Sequence, residues 1–163
     1  GMEDAVSWFN TAGLGKFEMK KNLEKKDPAT PRPYEFIDED RGAQVTSGVI
    51  FEANVDLTNP LLYGYYNTKM PMFKSNNYYM EKSNNVYANP MTYGNNPLMS
   101  GYISDDNYEK MKNASAIGVA SLGRGKVIGF TENLAFRAFW YGPNKLLMNA
   151  IFYGPMLSGS MSR

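Results

Sequence analysis

The sequence predicts an α/β fold, a mixed sheet with flanking helices. Three observations predict it. Short runs rich in Val, Ile, Phe and Tyr are cut by Asn, Pro and Gly, as strands are. Capped helical patterns stand near both ends and once between. Two apolar runs meet at Leu122-Gly123-Arg124-Gly125, where glycines supply the positive φ of a β-hairpin turn. A chain of 163 residues suits one domain. At that length roughly 70% of the unfolded surface is buried on folding.

The elements follow in order. "EDAVSWFNTAGLG" predicts a helix ending at Gly13 or Gly15, with Ala5, Val6, Phe9 and Trp8 on its apolar side. "KFEMKKNLEKKD" reads as a solvated helix or mobile connection, or as a face for something acidic. Residues 1–27 thus form an N-terminal helix and charged segment. Pro28, Pro31 and Pro33 fix φ and remove donors, which makes 28–42 an extended linker. Its acids Asp38, Glu39 and Asp40 lack metal-ligand spacing.

The α/β core spans 43–155. "QVTSGVIFEANVDL" is a strand, and "MPMFKS", "YYMEK" and "NVYANPM" are shorter candidates. "NPLLYGY" and "NPLMSGY" share one design at an offset of 37, a capped helical turn with a left-handed exit at Gly. "SDDNYEKMKN" predicts a short helix capped by Ser104, with acids early and lysines late along the dipole. After the hairpin, residues 143–153 form a helix whose Leu146, Leu147, Ala150 and Ile151 face the core. Gly154-Pro155 stops it, and 156–163 is a flexible tail.

Composition excludes several chemistries. With zero Cys and zero His there is no disulfide, thiolate metal site, Ser-His-Asp triad or Cys nucleophile within the chain. Lys plus Arg is 17 against 16 for Asp plus Glu, so charge gives no reason to expect nucleic acid or an anionic membrane. No apolar run approaches the ~20 residues that span a bilayer. Aromatics reach 14%, with 12 Tyr. They read either as core plus Asn-rich turns or as a stacking, hydrogen-bonding surface for carbohydrate or protein.

"FEANVDLTNPLLYGY", "NPLMSGYIS" and "GRGKVIGFTENLAFRAFWYGPNKLLMNAIFYG" carry a family likeness. Over roughly residues 30–155 the chain resembles the C-terminal, non-peptidase region of bacterial secreted zinc carboxypeptidases. The resemblance implies a glutamine-amidotransferase-like fold of flavodoxin type. The chain would match its second half, closing in a C-terminal β-hairpin plus helix. The leading parallel strands would be missing, and an open sheet edge would recruit a partner, the peptidase catalytic domain or a second copy in a homodimer. It also implies a secreted or periplasmic location. It carries over no catalysis, since the zinc ligands and the amidotransferase Cys and His have no counterparts here.

The expectation is therefore a non-catalytic accessory domain, probing no metal or cofactor, in contact with a peptidase domain. The alternative is a carbohydrate- or peptide-binding module using Tyr and Trp surfaces. The candidate ligand-binding residues are Glu132, Arg137, Trp140 and Tyr141, at a strand end before a helix, where Arg137 could meet an anion. The plainer expectation is that Arg137 ties the loop down by bonding carbonyls or Glu132, while Phe136, Phe139 and Trp140 pack under the last helix. Glu52 and Asp56 share a strand face at a separation of roughly 13 Å, too far apart for a glycosidase pair unless the strand bends.

Overall fold

The computed structural model describes residues 1–21 and 32–158. Its class is mixed α/β, two small antiparallel sheets with flanking helices.

Helix α1, Asp4–Thr11, buries Val6 and leaves Trp8 59% exposed. The chain leaves it through Gly13 at φ 68° and continues in extended form. Phe17 is buried, and Met19 bridges Met80. The described part of the lysine-rich segment is therefore extended rather than helical. The rest of it, with Pro28 and Pro31, lies outside the described residues.

The expected linker 28–42 is corrected where it is described. A 3₁₀ turn, Tyr34–Phe36, runs into helix α2, Ile37–Gly42. Pro33 sets φ at −55° just ahead, and Asp38, Glu39 and Asp40 fill the first turn, where the helix dipole favours acids.

Strand β1, Val49–Val55, has the alternation its sequence predicts. Val49, Phe51, Ala53 and Val55 enter the core, and Glu52 and Asn54 face outward. β1 is central, between antiparallel β2, Lys69–Lys74, and β3, Met91–Ser100.

β3 overturns one expectation. The first Asn-Pro turn forms as read: Pro60–Leu62 is a 3₁₀ turn, the Asn59 side chain accepts from the Leu61 N–H, and Gly64 takes φ 80°. The second, at Asn96-Pro97, lies inside a strand. Pairing with β1 wins over the local signal. Between Ala53↔Tyr93 and Phe51↔Leu98 the register slips, so Pro97 sits in an irregularity where no ladder donor is asked of it. Of the other short candidates, "NVYANPM" gives a 3₁₀ turn, Val86–Ala88, before β3, and "YYMEK" supplies only the bridging Met80.

Helix α3, Asp105–Met111, starts at its Ser104 cap. Residues 114–116 then bond alongside β3, Tyr93 N–H donating to Ala114 O at 2.9 Å and Ala116 N–H to Met91 O at 3.0 Å. They lead into the hairpin of β4, Ile117–Leu122, and β5, Gly125–Phe130. Gly123 at φ 56° makes its two-residue turn.

Helix α4, Asn144–Tyr153, buries Leu146 and half-buries Leu147 and Ala150 against the main core. Ile151 was expected inside but is 63% exposed, because the core lies on the Leu146–Ala150 side and Ile151 falls beyond its shoulder. A 3₁₀ turn, Gly154–Met156, prolongs the helix, and Leu157 packs into the core, so the expected tail is anchored at its start.

The hairpin is covered on both faces. Ile117, Val119, Ile128 and Phe130 join the main core, while Ala120 and Val127 meet Val6 and Phe17 in a second cluster under α1. Gly129 permits this approach: a Cβ there would lie 3.1 Å from Val6 and 3.3 Å from Phe17. The loops are set locally. Asn59, Asn67, Asn76, Asn85 and Asn133 each accept a bond from the backbone N–H two residues on, which accounts for much of the abundant Asn.

Candidate functional site

Past the end of β5 the chain places Thr131 and Glu132 in the interior. Glu132 meets Lys74 from the end of β2, Nζ to Oε1 at 3.1 Å, with both side chains at most 1% exposed. Lys74 reaches this place because Met70, Met72 and Lys74 share the inward face of β2. Lys74 also donates to Tyr78 O at 2.7 Å and lies 5.0 Å from the Tyr79 ring centroid. Thr131 Oγ1 donates to Glu132 Oε2 at 2.7 Å, and the Tyr79 hydroxyl bonds Thr46.

The charges of this centre are held by each other. Burial lowers the Lys74 pKa, and the Glu132 carboxylate opposes that fall. The Tyr93 hydroxyl is buried beside the same carboxylate without a well-formed hydrogen bond. Burial, then the Glu132 charge, raises its pKa well above the ordinary tyrosine value. A buried, mutually satisfied pair of this kind orients β2 against the loop after β5.

The remaining sequence candidates lie elsewhere. Arg137 is exposed, stands at φ 50°, and is followed by Ala138 at φ 53°. Its guanidinium sits 5.1 Å from the Phe136 ring. The tie to Glu132 is not made, because Lys74 occupies that carboxylate. Phe136 packs on Phe73 of β2, with ring centroids 4.1 Å apart, and Trp140 lies 6.3 Å from the same ring. The aromatic loop is therefore seated on β2. Trp140 Nε1 and Asn144 Oδ1 are both buried in it without a hydrogen bond. Tyr141 is 75% exposed. Glu132 is thus buried with Lys74, and Arg137 and Tyr141 are on the surface.

Sequence reasoning missed a second feature beside this loop. Tyr65 donates its hydroxyl to Gly142 O at 2.7 Å, joining the turn after Pro60–Leu62 to the start of α4. Burial pushes its pKa up to about 12. Asn149 Nδ2 donates to Leu61 O at 2.7 Å and to Tyr63 O at 2.9 Å. Around these two linked loops Tyr63, Tyr66, Phe139 and Tyr141 are exposed. The repeated Tyr in "YGYY" and "WYG" was the available signal.

The carboxylates considered for chemistry are engaged locally. Glu52 pairs with Lys69 across the strands, and Asp56 accepts from Thr58 N–H and hydroxyl. Among the described residues no group of three or more His, Cys, Asp or Glu is placed to hold a metal ion. No helix there is long and apolar enough to cross a membrane. A depression of about 710 Å³ lies between the loop after α1 and the end of β4, lined by Leu14, Lys16, Phe17 and Leu122 among others. Its titratable lining residues are Lys16 and Glu18. Comparison with family models, with curated proteins and with solved structures finds no match for this chain.

Proposed function

We propose that this chain is a non-catalytic accessory domain that docks on a peptidase catalytic domain, as its likeness to the extension of secreted zinc carboxypeptidases suggests. One observation carries the docking part. Met148, Ile151 and Phe152 of α4, with Met156 just beyond, are 50%, 63%, 68% and 67% exposed. Four large apolar side chains on nine successive residues form a contiguous patch of the sort that marks protein contact. The buried fate of Glu132 supports the same view, since a carboxylate locked to Lys74 does not meet substrate.

The test mixes the purified chain with a separately purified bacterial secreted zinc-carboxypeptidase catalytic domain and follows sedimentation. A complex is expected, and Ile151→Lys with Phe152→Glu is expected to abolish it while leaving the fold intact. Failure of the unaltered pair to associate rejects the proposal. In this reading the protein works outside the cytoplasm with its peptidase partner or with a second copy.

A second reading rests on Tyr63, Tyr66, Phe139 and Tyr141 around one pair of linked loops. Such a surface stacks on sugar rings or on peptide side chains. Quenching of Trp140 fluorescence by a saccharide, lost in Tyr141→Ala, would favour it over docking.

A further inference from the structure

The three-stranded sheet has two outer edges, and they are finished differently. Val55 N–H donates to Thr68 O at 2.9 Å, and the pairs of an antiparallel ladder alternate. Thr68, Met70 and Met72 therefore turn their backbone groups to β1, and Lys69, Pro71 and Phe73 turn theirs outward. That outer row is blunted at each position. Lys69 carries a charge, Pro71 has no N–H to offer, and Phe73 packs against the Phe136 ring.

The outer edge of β3 is partnered only along its first half. By the same alternation Phe51, Ala53 and Val55 bond towards β2, so Leu98, Tyr93 and Met91 opposite them face away from β1. Met91 O accepts from Ala116 N–H, Tyr93 N–H donates to Ala114 O, and Gly94 O accepts from Asn113 N–H. The Leu98 N–H and C=O point the same way and have no backbone partner among the described residues. Pro97 precedes Leu98 and turns towards β1, into the irregularity, so its missing donor does not blunt the outer edge. Leu98 and Met99 are 41% and 53% exposed, and Tyr102, just past Gly101, is exposed as well. From Ser83 to Ser104 the chain carries no charged side chain, although 20% of its residues are charged.

We propose that the outer edge of β3 at Leu98 pairs antiparallel with the same edge of a second copy, about a two-fold axis beside Leu98. Each Leu98 then donates its N–H to the carbonyl of the other, and the two Leu98 side chains stand opposite one another. Such an interface is isologous and closes at two copies. The neutral stretch selects this occupant. A partner strand chosen by charge has nothing to read here, whereas two copies meet without the like-charge repulsion that ordinarily keeps edges apart. The inference goes beyond the docking function above and does not depend on it, since the surface belongs to β3 and not to α4.

The test follows the purified chain by sedimentation from about 1 μM to about 1 mM, where a shift from monomer to dimer is expected. Leu98→Lys sets two ammonium groups face to face and should leave only monomer. Ile151→Lys, on α4, should leave the dimer unchanged. Amide exchange of the unaltered chain gives a second readout that needs no variant to fold. Exchange at Leu98 should slow at least about threefold across that range, while Phe73 on the blunted edge should not change. A chain that stays monomeric throughout overturns the proposal. A dimer that leaves Leu98 exchange unaffected, or that is lost in Ile151→Lys, overturns it too, because the contact then lies elsewhere.

Discussion

Replacing Lys74 by Met keeps an unbranched side chain, one atom shorter, and removes its charge. Glu132, 1% exposed, then keeps the Thr131 hydroxyl as a donor but loses the ammonium, and Tyr78 O loses the Lys74 bond. Removing one partner of a buried ion pair costs about 3–5 kcal/mol. For a domain of this size each kcal/mol moves the melting temperature by roughly 2–4 °C, so Lys74→Met should melt on the order of 6–20 °C lower. Glu132→Gln should lose a comparable amount, because Lys74 then sits uncompensated beside the Tyr79 ring. The double variant removes both charges together and should recover much of the loss, since apolar or neutral replacements of a whole buried pair are often close to neutral. Urea unfolding of the four proteins at neutral pH gives the coupling energy. If Lys74→Met costs under about 1 kcal/mol, or if the two single losses simply add, the pair is not the mutually dependent centre described here.

Gly129→Ala crowds Val6 at 3.1 Å and Phe17 at 3.3 Å and should destabilise by about 1 kcal/mol net, overpacking outweighing the gain from a stiffer unfolded chain; a stabilised variant in urea would contradict this. Ala138→Gly relieves φ 53° and should raise the melting temperature by a few degrees in calorimetry, being worth about 1 kcal/mol or less after the entropy cost of glycine. The tyrosines predict an alkaline limb. Tyr65 titrates at about 12 when folded, and an unfolded tyrosine at about 10. Between those values the unfolded chain has released a proton that the folded one retains, so stability falls as pH rises. Tyr79 and Tyr93, also raised, act in the same direction, whereas Lys74, lowered, adds stability as pH climbs towards its ordinary value. Urea midpoints against pH, with absorbance of tyrosinate near 295 nm, should show a shallower fall for Tyr65→Phe; an unchanged slope would count against the shift.

Local signals were legible in the sequence. The Gly123 hairpin, the Ser104 cap, the Asn59 turn and the alternation of β1 depend on residues a few positions apart, and each forms where it was expected. β3 was not legible, because its Asn96-Pro97 carries a turn signal that pairing with β1 overrides. Ile151 was misplaced because helical spacing defines a stripe but not its limits. In the site, Glu132 was noticed and given the wrong partner. Arg137 is five positions away, whereas Lys74 comes from 58 positions upstream. The one local hint was Lys74 itself, a lysine in phase with Met70 and Met72 on the apolar side of β2. A cation in that phase needs a buried anion, but its identity is fixed only by the fold.

The clasp between the first residues and β5 joins positions 127 apart in the chain. A ribosome adding about 5–20 residues per second releases α1 on the order of ten seconds before the surface that covers it. Through that interval Val6 lacks Ala120 of the hairpin, and Trp8 is open to chaperones or to neighbouring nascent chains. Closure of α1 on the hairpin therefore waits on β5, and slow translation across the hairpin lengthens the time in which it can go astray.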